Sequence, residues 1–159
     1  MFVMTEAIAM SAAVLAAALG TGAGADEKRH ARGTFEVKVT PVPGDNGVAS
    51  ARMSLTKTFA GDLTGTSKGD MWTADTAVQG SAGAVAIEKV EGTLNGRRGT
   101  FTLLHQSTMR RGGEFQIRII VVPESGTGEL SGLAGTMAIR IEKGAHFYDF
   151  DYAISPPPR

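Results

Sequence analysis

Apolar and polar residues alternate along most of this chain with a period of two. The first clear example is Gly33–Val42, with Phe35, Val37 and Val39 on one face and Glu36, Lys38 and Thr40 on the other. This period is typical of a β-strand with one buried face. The same pattern predicts seven further strands: Ala51–Ala60, Gly61–Thr73, Ala84–Leu94, Thr100–Met109, Glu114–Val122, Thr136–Glu142 and His146–Ile154.

Short turns rich in glycine and proline separate these strands, and residues 33–154 contain no sustained helical period. Asn95-Gly96, for example, supplies the residue types that a tight β-hairpin needs. We therefore predict an all-β domain over 33–154, a single antiparallel barrel of about eight strands with little helix. A barrel of this size is either filled by side chains or holds one small ligand.

The two ends of the chain differ from this domain. Ala7–Leu19 is an apolar run followed by the small residues Ala23-Gly24-Ala25, which predicts a signal peptide over residues 1–25. The run is too short to span a bilayer of about 30 Å, so we expect no stable membrane insertion after cleavage. Residues 26–32 are a polar linker and 155–159 a proline-rich tail. We expect a secreted or periplasmic protein. It would be cytoplasmic if the N-terminal segment is not a signal, since Met1–Glu6 has no Lys or Arg and carries Glu6.

Composition narrows the classes of partner and cofactor. The formal net charge is zero, which argues against nucleic acid as a partner. The chain has no cysteine and only three histidines, without metal-ligand spacing, so we expect no metal site. Phosphate-binding and dinucleotide motifs are absent, and we expect no cofactor.

Glu88 and His105 are the candidate catalytic residues. Glu88 shares a strand face with Ala86 and Val90, and His105 with Phe101. A short hairpin brings the two strands together, and a register shift of one residue decides whether the two side chains share a face. If they do, they could act as an acid and base pair in a closed cavity. Alternatively, Glu88 is a surface carboxylate and His105 an ordinary strand residue.

Aromatic residues of the last strand are candidates for ligand binding. Tyr148, Phe150 and Tyr152 share one face, and with Phe101 and Leu103 they could form the wall of a pocket. The alternative is a plain hydrophobic core. Lys57 also falls on an apolar face, where it either extends past the rim or points into a polar interior.

Four collinear motifs resemble a bacterial family of unknown function. They are Gly33-Thr-Phe-Glu-Val-Lys38, the run Met53–Gly69 with Phe59-Ala-Gly-Asp-Leu63, Ala86-Ile-Glu-Lys-Val-Glu-Gly-Thr-Leu94 and Gly126-Thr-Gly-Glu-Leu-Ser-Gly-Leu-Ala-Gly135. The resemblance implies an allene-oxide-cyclase-like barrel. Enzymes with such barrels hold a reactive small molecule while it cyclises, but none of their catalytic residues maps onto this sequence by motif.

These observations lead to three hypotheses for function. The first is an exported barrel that binds a small apolar or aromatic ligand. The second is a cofactor-free cyclase or isomerase that uses Glu88 and His105. The third is a structural, self-associating envelope protein, since analogy with related barrels suggests a homo-oligomer. The sequence does not decide whether the protein is an enzyme.

Overall fold

A computed structural model describes residues 27–155 as eight antiparallel strands closed into one barrel. The strands are β1 (Arg29–Pro41), β2 (Ala51–Gly61), β3 (Leu63–Asp75), β4 (Ala82–Leu94), β5 (Arg97–Arg110), β6 (Glu114–Val121), β7 (Leu133–Glu142) and β8 (Ala145–Ile154). One 3₁₀ turn, Gly128–Leu130, lies between β6 and β7. The prediction of an all-β barrel is thus confirmed. The predicted signal peptide and residues 156–159 of the tail lie outside the described residues.

Each strand pairs with its neighbours in the chain, and β1 closes the barrel by pairing with β8 from Arg29↔Tyr152 to Phe35↔His146. β1 therefore begins at Arg29, earlier than the predicted start at Gly33. Within this extension Ala31 is fully buried in the core. The part of the chain that the structure describes contains no helix long and apolar enough to cross a membrane.

The turn between β4 and β5 has the conformation that its sequence predicts. Asn95 and Gly96 both have positive φ angles, of 46° and 82°. Two-residue hairpin turns of this kind match the right-handed twist of the strands, and asparagine followed by glycine tolerates them best. This turn fixes the register of β4 against β5, which pairs Ala86 with His105 and Glu88 with Leu103.

One half of the barrel is filled by large apolar side chains. We call it the closed half: it contains the β2–β3 and β4–β5 turns and the 3₁₀ turn, whose Leu130 is fully buried. Its other members are buried against one another and include Leu63, Leu94, Phe101, Leu133, Phe150 and Tyr152. The opposite half carries the β1–β2, β3–β4, β5–β6 and β7–β8 connections, and we call it the open half.

The wall of the open half is incomplete between β6 and β7. These strands pair only through Ile119↔Met137 and Ile120↔Thr136. By contrast, β6 pairs with β5 from Glu114 onward and β7 pairs with β8 along its whole length. Residues 114–118 and 138–142 therefore have no sheet partner across this boundary among the described residues. We call this boundary the seam.

Candidate functional site

A cluster of polar side chains lies inside the barrel where the two halves meet. Within residues 27–155 and apart from tyrosine, the buried polar side chains are those of Lys57, Ser67, Glu88 and His105. They come from four consecutive strands, β2 to β5. Register explains the grouping, since Lys57 pairs with Ser67 and both lie on the inward face next to Glu88. The four residues form one polar cluster in an otherwise apolar interior.

Glu88 is the centre of the polar cluster and has no solvent exposure. Its Oε1 accepts a hydrogen bond from the Ser67 hydroxyl. Its Oε2 accepts one from Lys57 Nζ at 2.8 Å and lies 2.8 Å from His105 Nε2. At this separation the imidazole and the carboxylate interact directly, and the contact lowers the pKa of Glu88.

Glycine at position 69 allows β3 to approach Glu88. Gly69 pairs with Leu55 on one side and with Glu88 on the other. A Cβ atom at this position would lie 2.4 Å from the Ile87 carbonyl oxygen and 2.9 Å from Glu88 Cα. Such distances are too short for any side chain, so another residue here would push β3 away from β4 and from the carboxylate.

The pKa of Glu88 is lowered from 4.5 to about 2. Desolvation by burial acts in the opposite direction and would raise it. This effect is outweighed by the interaction with His105, the positive charge and hydrogen bond of Lys57 and the hydrogen bond from Ser67. Glu88 is therefore a carboxylate at neutral pH and a poor proton acceptor itself, and it can hold a positive charge on either neighbour.

Lys57 is fixed by aromatic rings as well as by Glu88. Its Nζ lies 5.0 Å from the centre of the Phe35 ring and 5.8 Å from that of Phe59. Cation–π contacts of this length stabilise a buried ammonium group. The side chain thus points into the barrel interior, which decides between the two alternatives that the sequence left open.

A pocket of about 190 Å³ lies in the open half directly against the polar cluster. Its wall is mostly apolar and includes Val37, Leu55, Met71, Ala84, Ala86, Ile117 and Ile139. Three basic residues, Lys57, His105 and His146, also line it. None of the described residues that line the pocket carries a carboxylate, because Glu88 lies behind Lys57 and His105.

The arrangement does not suit a bound cation. In residues 27–155 no three His, Asp or Glu side chains are grouped in a way that could hold a metal ion. The ammonium group of Lys57 already occupies the side of Glu88 that a metal would need. The chemistry available here is that of a lysine and an imidazole presented to an apolar space.

The structure brings the two candidate catalytic residues together on one face. The register pairs Ala86 with His105, so Glu88 is a diagonal neighbour of the imidazole. The reading of Glu88 as a surface carboxylate is wrong, since it has no exposure. Whether the pair catalyses a reaction stays a prediction.

The five candidate ligand-binding residues lie elsewhere, buried within the core, and none of them lines the pocket. Phe101 stacks on Phe150 with ring centres 5.9 Å apart. The Tyr148 hydroxyl accepts a hydrogen bond from Leu63 N–H, and the Tyr152 hydroxyl accepts one from Asn95. Leu103 has no exposure. Their direct contact with a ligand stays a prediction.

Two members of the polar cluster were not assigned to a site from the sequence. Lys57 was recognised only as a charge on an apolar face, and Ser67 was not singled out. One signal was available in the sequence. Lys57 and Ser67 each fall on the same strand face as leucine or phenylalanine residues of their own strand, so both side chains should point inward. Burial of a hydroxyl and an ammonium group on adjacent strands implies an acidic partner, which Glu88 supplies.

Comparison with known proteins places this fold in a family. Residues 31–152 match the family described as "Protein of unknown function (DUF3224)". A crystal structure of a protein with unknown function from the DUF3224 family of Shewanella oneidensis MR-1 is similar, with 48% sequence identity and a TM-score of 0.74. The match covers 82% of this chain and 100% of that one. No curated protein matches. The chain belongs to the DUF3224 family.

Proposed function

We propose that this protein binds a small apolar molecule in the open half of the barrel, against the polar cluster. The proposal rests on one observation: the apolar pocket lies directly against the buried Lys57–Glu88–His105 group. Ligand sites in proteins are typically apolar spaces with a few fixed polar groups that orient the ligand. Here the pocket is the apolar space, and the polar cluster supplies the fixed polar groups.

Energetic considerations support a functional rather than a purely structural role. A buried ion pair is often no more stabilising than well-packed apolar residues of the same size. The closed half fills the same barrel with leucine and phenylalanine side chains. Stability alone therefore gives no reason for a lysine, a glutamate and a histidine next to this apolar core. Contact with a ligand would give such a reason.

The size of the pocket limits the ligand. A volume of about 190 Å³ corresponds to roughly six water molecules at about 30 Å³ each. A small molecule fits, and a larger one would have to extend out of the open half.

The proposal is tested with protein from residue 26 onward, purified gently from its own host. Native mass spectrometry should detect a bound small molecule. Ala84 lines the pocket and is not a member of the polar cluster, so Ala84→Leu should fill the space and abolish binding. Ala60→Leu, at an exposed position of β2, is the matched control and should keep the ligand.

A ligand could also be lost during purification, so a screen complements this experiment. Small apolar compounds are added to the isotope-labelled protein, and amide NMR signals are followed. We expect shifts that concentrate at Ala84, Ala86 and His105. A bare protein mass together with no such shifts for any compound would contradict the proposal.

A second candidate function is proton transfer within the bound molecule, as in a cofactor-free isomerase or cyclase. It is favoured by one observation: His105 lines the pocket while its Nε2 lies 2.8 Å from the Glu88 carboxylate. A carboxylate in this position orients an imidazole and stabilises its protonated form. Glu88→Gln and His105→Ala should then abolish turnover of the ligand. Unchanged turnover in both variants would exclude this function.

A further inference from the structure

We propose that the ligand is an aliphatic carboxylate, bound with its head at Lys57 and His105 and its chain directed toward the seam. This inference rests on the proposed function and adds the chemical class and the orientation of the ligand. It follows from two properties of the pocket, the sign of its charges and the direction in which its polarity changes.

The ionisable groups that face the pocket are basic. Lys57, His105 and His146 line it, whereas no carboxylate of the described residues does. Lys57 has three ammonium hydrogens and donates one of them to Glu88. A ligand carboxylate can accept another and remains a neighbour of the imidazole. An amine at the same place would be repelled, and an alcohol would gain only a neutral hydrogen bond.

Polarity decreases from the polar cluster toward the rim. Above Lys57 and His105 the wall is mostly apolar and includes Val37, Ile117 and Ile139, with Ser107 beside Ile117. Val39 and Ile141 also line the pocket, yet they are 48% and 63% exposed. Apolar side chains on inward-facing positions are normally covered in a barrel. An aliphatic chain lying along this wall would cover them.

The seam gives the chain a path out of the barrel. Sheet pairing between β6 and β7 stops at Ile119↔Met137, and the pocket residues Ile117 and Ile139 lie just beyond this point. Phe115, two positions further on β6, is 55% exposed. From His105 to the rim at Met109 the strand covers roughly 13 Å, the length of a straight chain of about eight to ten carbons.

Three eight-carbon probes test the inference: octanoate, octan-1-ol and octylamine. Their affinities are measured by calorimetry at pH 7 in the same buffer. We expect octanoate to bind at least about tenfold more tightly than octan-1-ol, and octylamine to bind most weakly. Equal affinities, or tighter binding of the alcohol or amine, would overturn this inference and leave the proposed function in place. If none of the probes binds while the compound screen yields other ligands, the inference alone fails. If nothing binds at all, both fail.

A pair of double variants separates the role of the charges from that of the barrel. Lys57→Met with Glu88→Gln removes the ion pair without leaving an unpaired buried charge, and it should bring the octanoate-to-octanol affinity ratio to within about twofold of one. The control is Arg52→Met with Asp70→Asn. These two residues form an ion pair of 3.0 Å on the outer face of β2 and β3. The control variant should leave the ratio unchanged. An unchanged ratio in the first variant overturns the inference.

The orientation is read from the wild-type protein, which removes any dependence on the folding of variants. In NMR spectra of the complex, protons at carbon 2 of octanoate should show contacts with Lys57 and His105. The terminal methyl group should show contacts with Ile117, Ile139 or Ile141. The reverse set of contacts, with the methyl group at Lys57, would contradict the proposed orientation.

Discussion

The imidazole of His105 and the carboxylate of Glu88 lie 2.8 Å apart inside the barrel, on adjacent strands that a two-residue turn holds in register. Lys57 contacts the same carboxylate oxygen at the same distance. The single carboxylate of Glu88 therefore interacts with two basic groups, Lys57 and His105. Removal of any member changes the electrostatic environment of the other two.

The first prediction concerns the balance of charge in the polar cluster. Lys57→Met leaves Glu88 buried without its cation and should lower the free energy of unfolding by about 3 kcal/mol or more. The double variant Lys57→Met with Glu88→Gln should recover most of this loss. Urea denaturation at pH 7 measures both. A double variant no more stable than the single one would show that the two residues do not act as a pair.

The second prediction concerns acid. Because the pKa of Glu88 is about 2 in the folded protein and 4.5 is its ordinary value, the carboxylate stabilises the fold above pH 4.5. This contribution is lost as the pH falls from about 4.5 to about 2, and its size is about 3 kcal/mol. The difference in unfolding free energy between wild type and the Lys57→Met, Glu88→Gln variant should shift by about this amount between pH 5 and pH 2. A constant difference would be inconsistent with the lowered pKa.

The third prediction tests the close approach of β3 to β4. Gly69→Ala should destabilise the protein by about 2 kcal/mol or more, since the added Cβ would meet the Ile87 carbonyl oxygen at 2.4 Å. Gly83→Ala on β4 is the matched control, because its Cβ would lie 3.8 Å from the nearest atom, the Ser107 carbonyl oxygen. Thermal unfolding should distinguish the two variants. Similar melting temperatures would mean that the strands can separate at no cost.

The fourth prediction tests the seam as the route of the ligand chain. The protein has no cysteine, so pairs can be introduced freely. Continuing the register of Ile119↔Met137 would place Ile117 opposite Ile139. Oxidised Ile117→Cys with Ile139→Cys should close the seam and slow ligand exchange at least about tenfold, and reduction should reverse this. Ile120→Cys with Thr136→Cys, already paired on the outer face, is the control. Equal exchange rates in both oxidised variants would exclude this route.

The fifth prediction separates stability from binding. Phe150 is fully buried in the closed half and contacts Phe101 and Tyr152. Phe150→Ala should cost about 3 to 5 kcal/mol of stability. Ile139→Ala, in the pocket wall, should cost less and should weaken octanoate binding more than it weakens the fold. Denaturation and calorimetry on both variants check this division.

Local pattern was sufficient to predict most of the barrel. The period of two assigned inward and outward faces correctly. Asn95-Gly96 predicted the hairpin between β4 and β5, which carry Glu88 and His105. The start of β1 at Arg29 was missed because three of residues 29–32 are basic and only Ala31 is apolar. Their strand conformation depends on pairing with β8, which is distant in sequence.

The candidate site was predictable only in part, because it depends on register across four strands. Glu88 and His105 could be proposed as neighbours through one short hairpin. Lys57 and Ser67 required the β2–β3 and β3–β4 registers as well. The aromatic residues of β8 share their pattern with any core strand, and periodicity alone does not tell which half of the barrel is filled.

The seam has a consequence beyond any ligand. A fully closed barrel has no free strand edge, whereas within residues 27–155 this one keeps two, residues 114–118 and 138–142. Free edges can accept a strand from another molecule, so self-association through the backbone should begin here. Both edges carry charged side chains, Glu114 and Arg118 on β6 and Arg140 and Glu142 on β7. Charged side chains on a free edge disfavour pairing with another strand, so we expect these four residues, which do not line the pocket, to limit self-association.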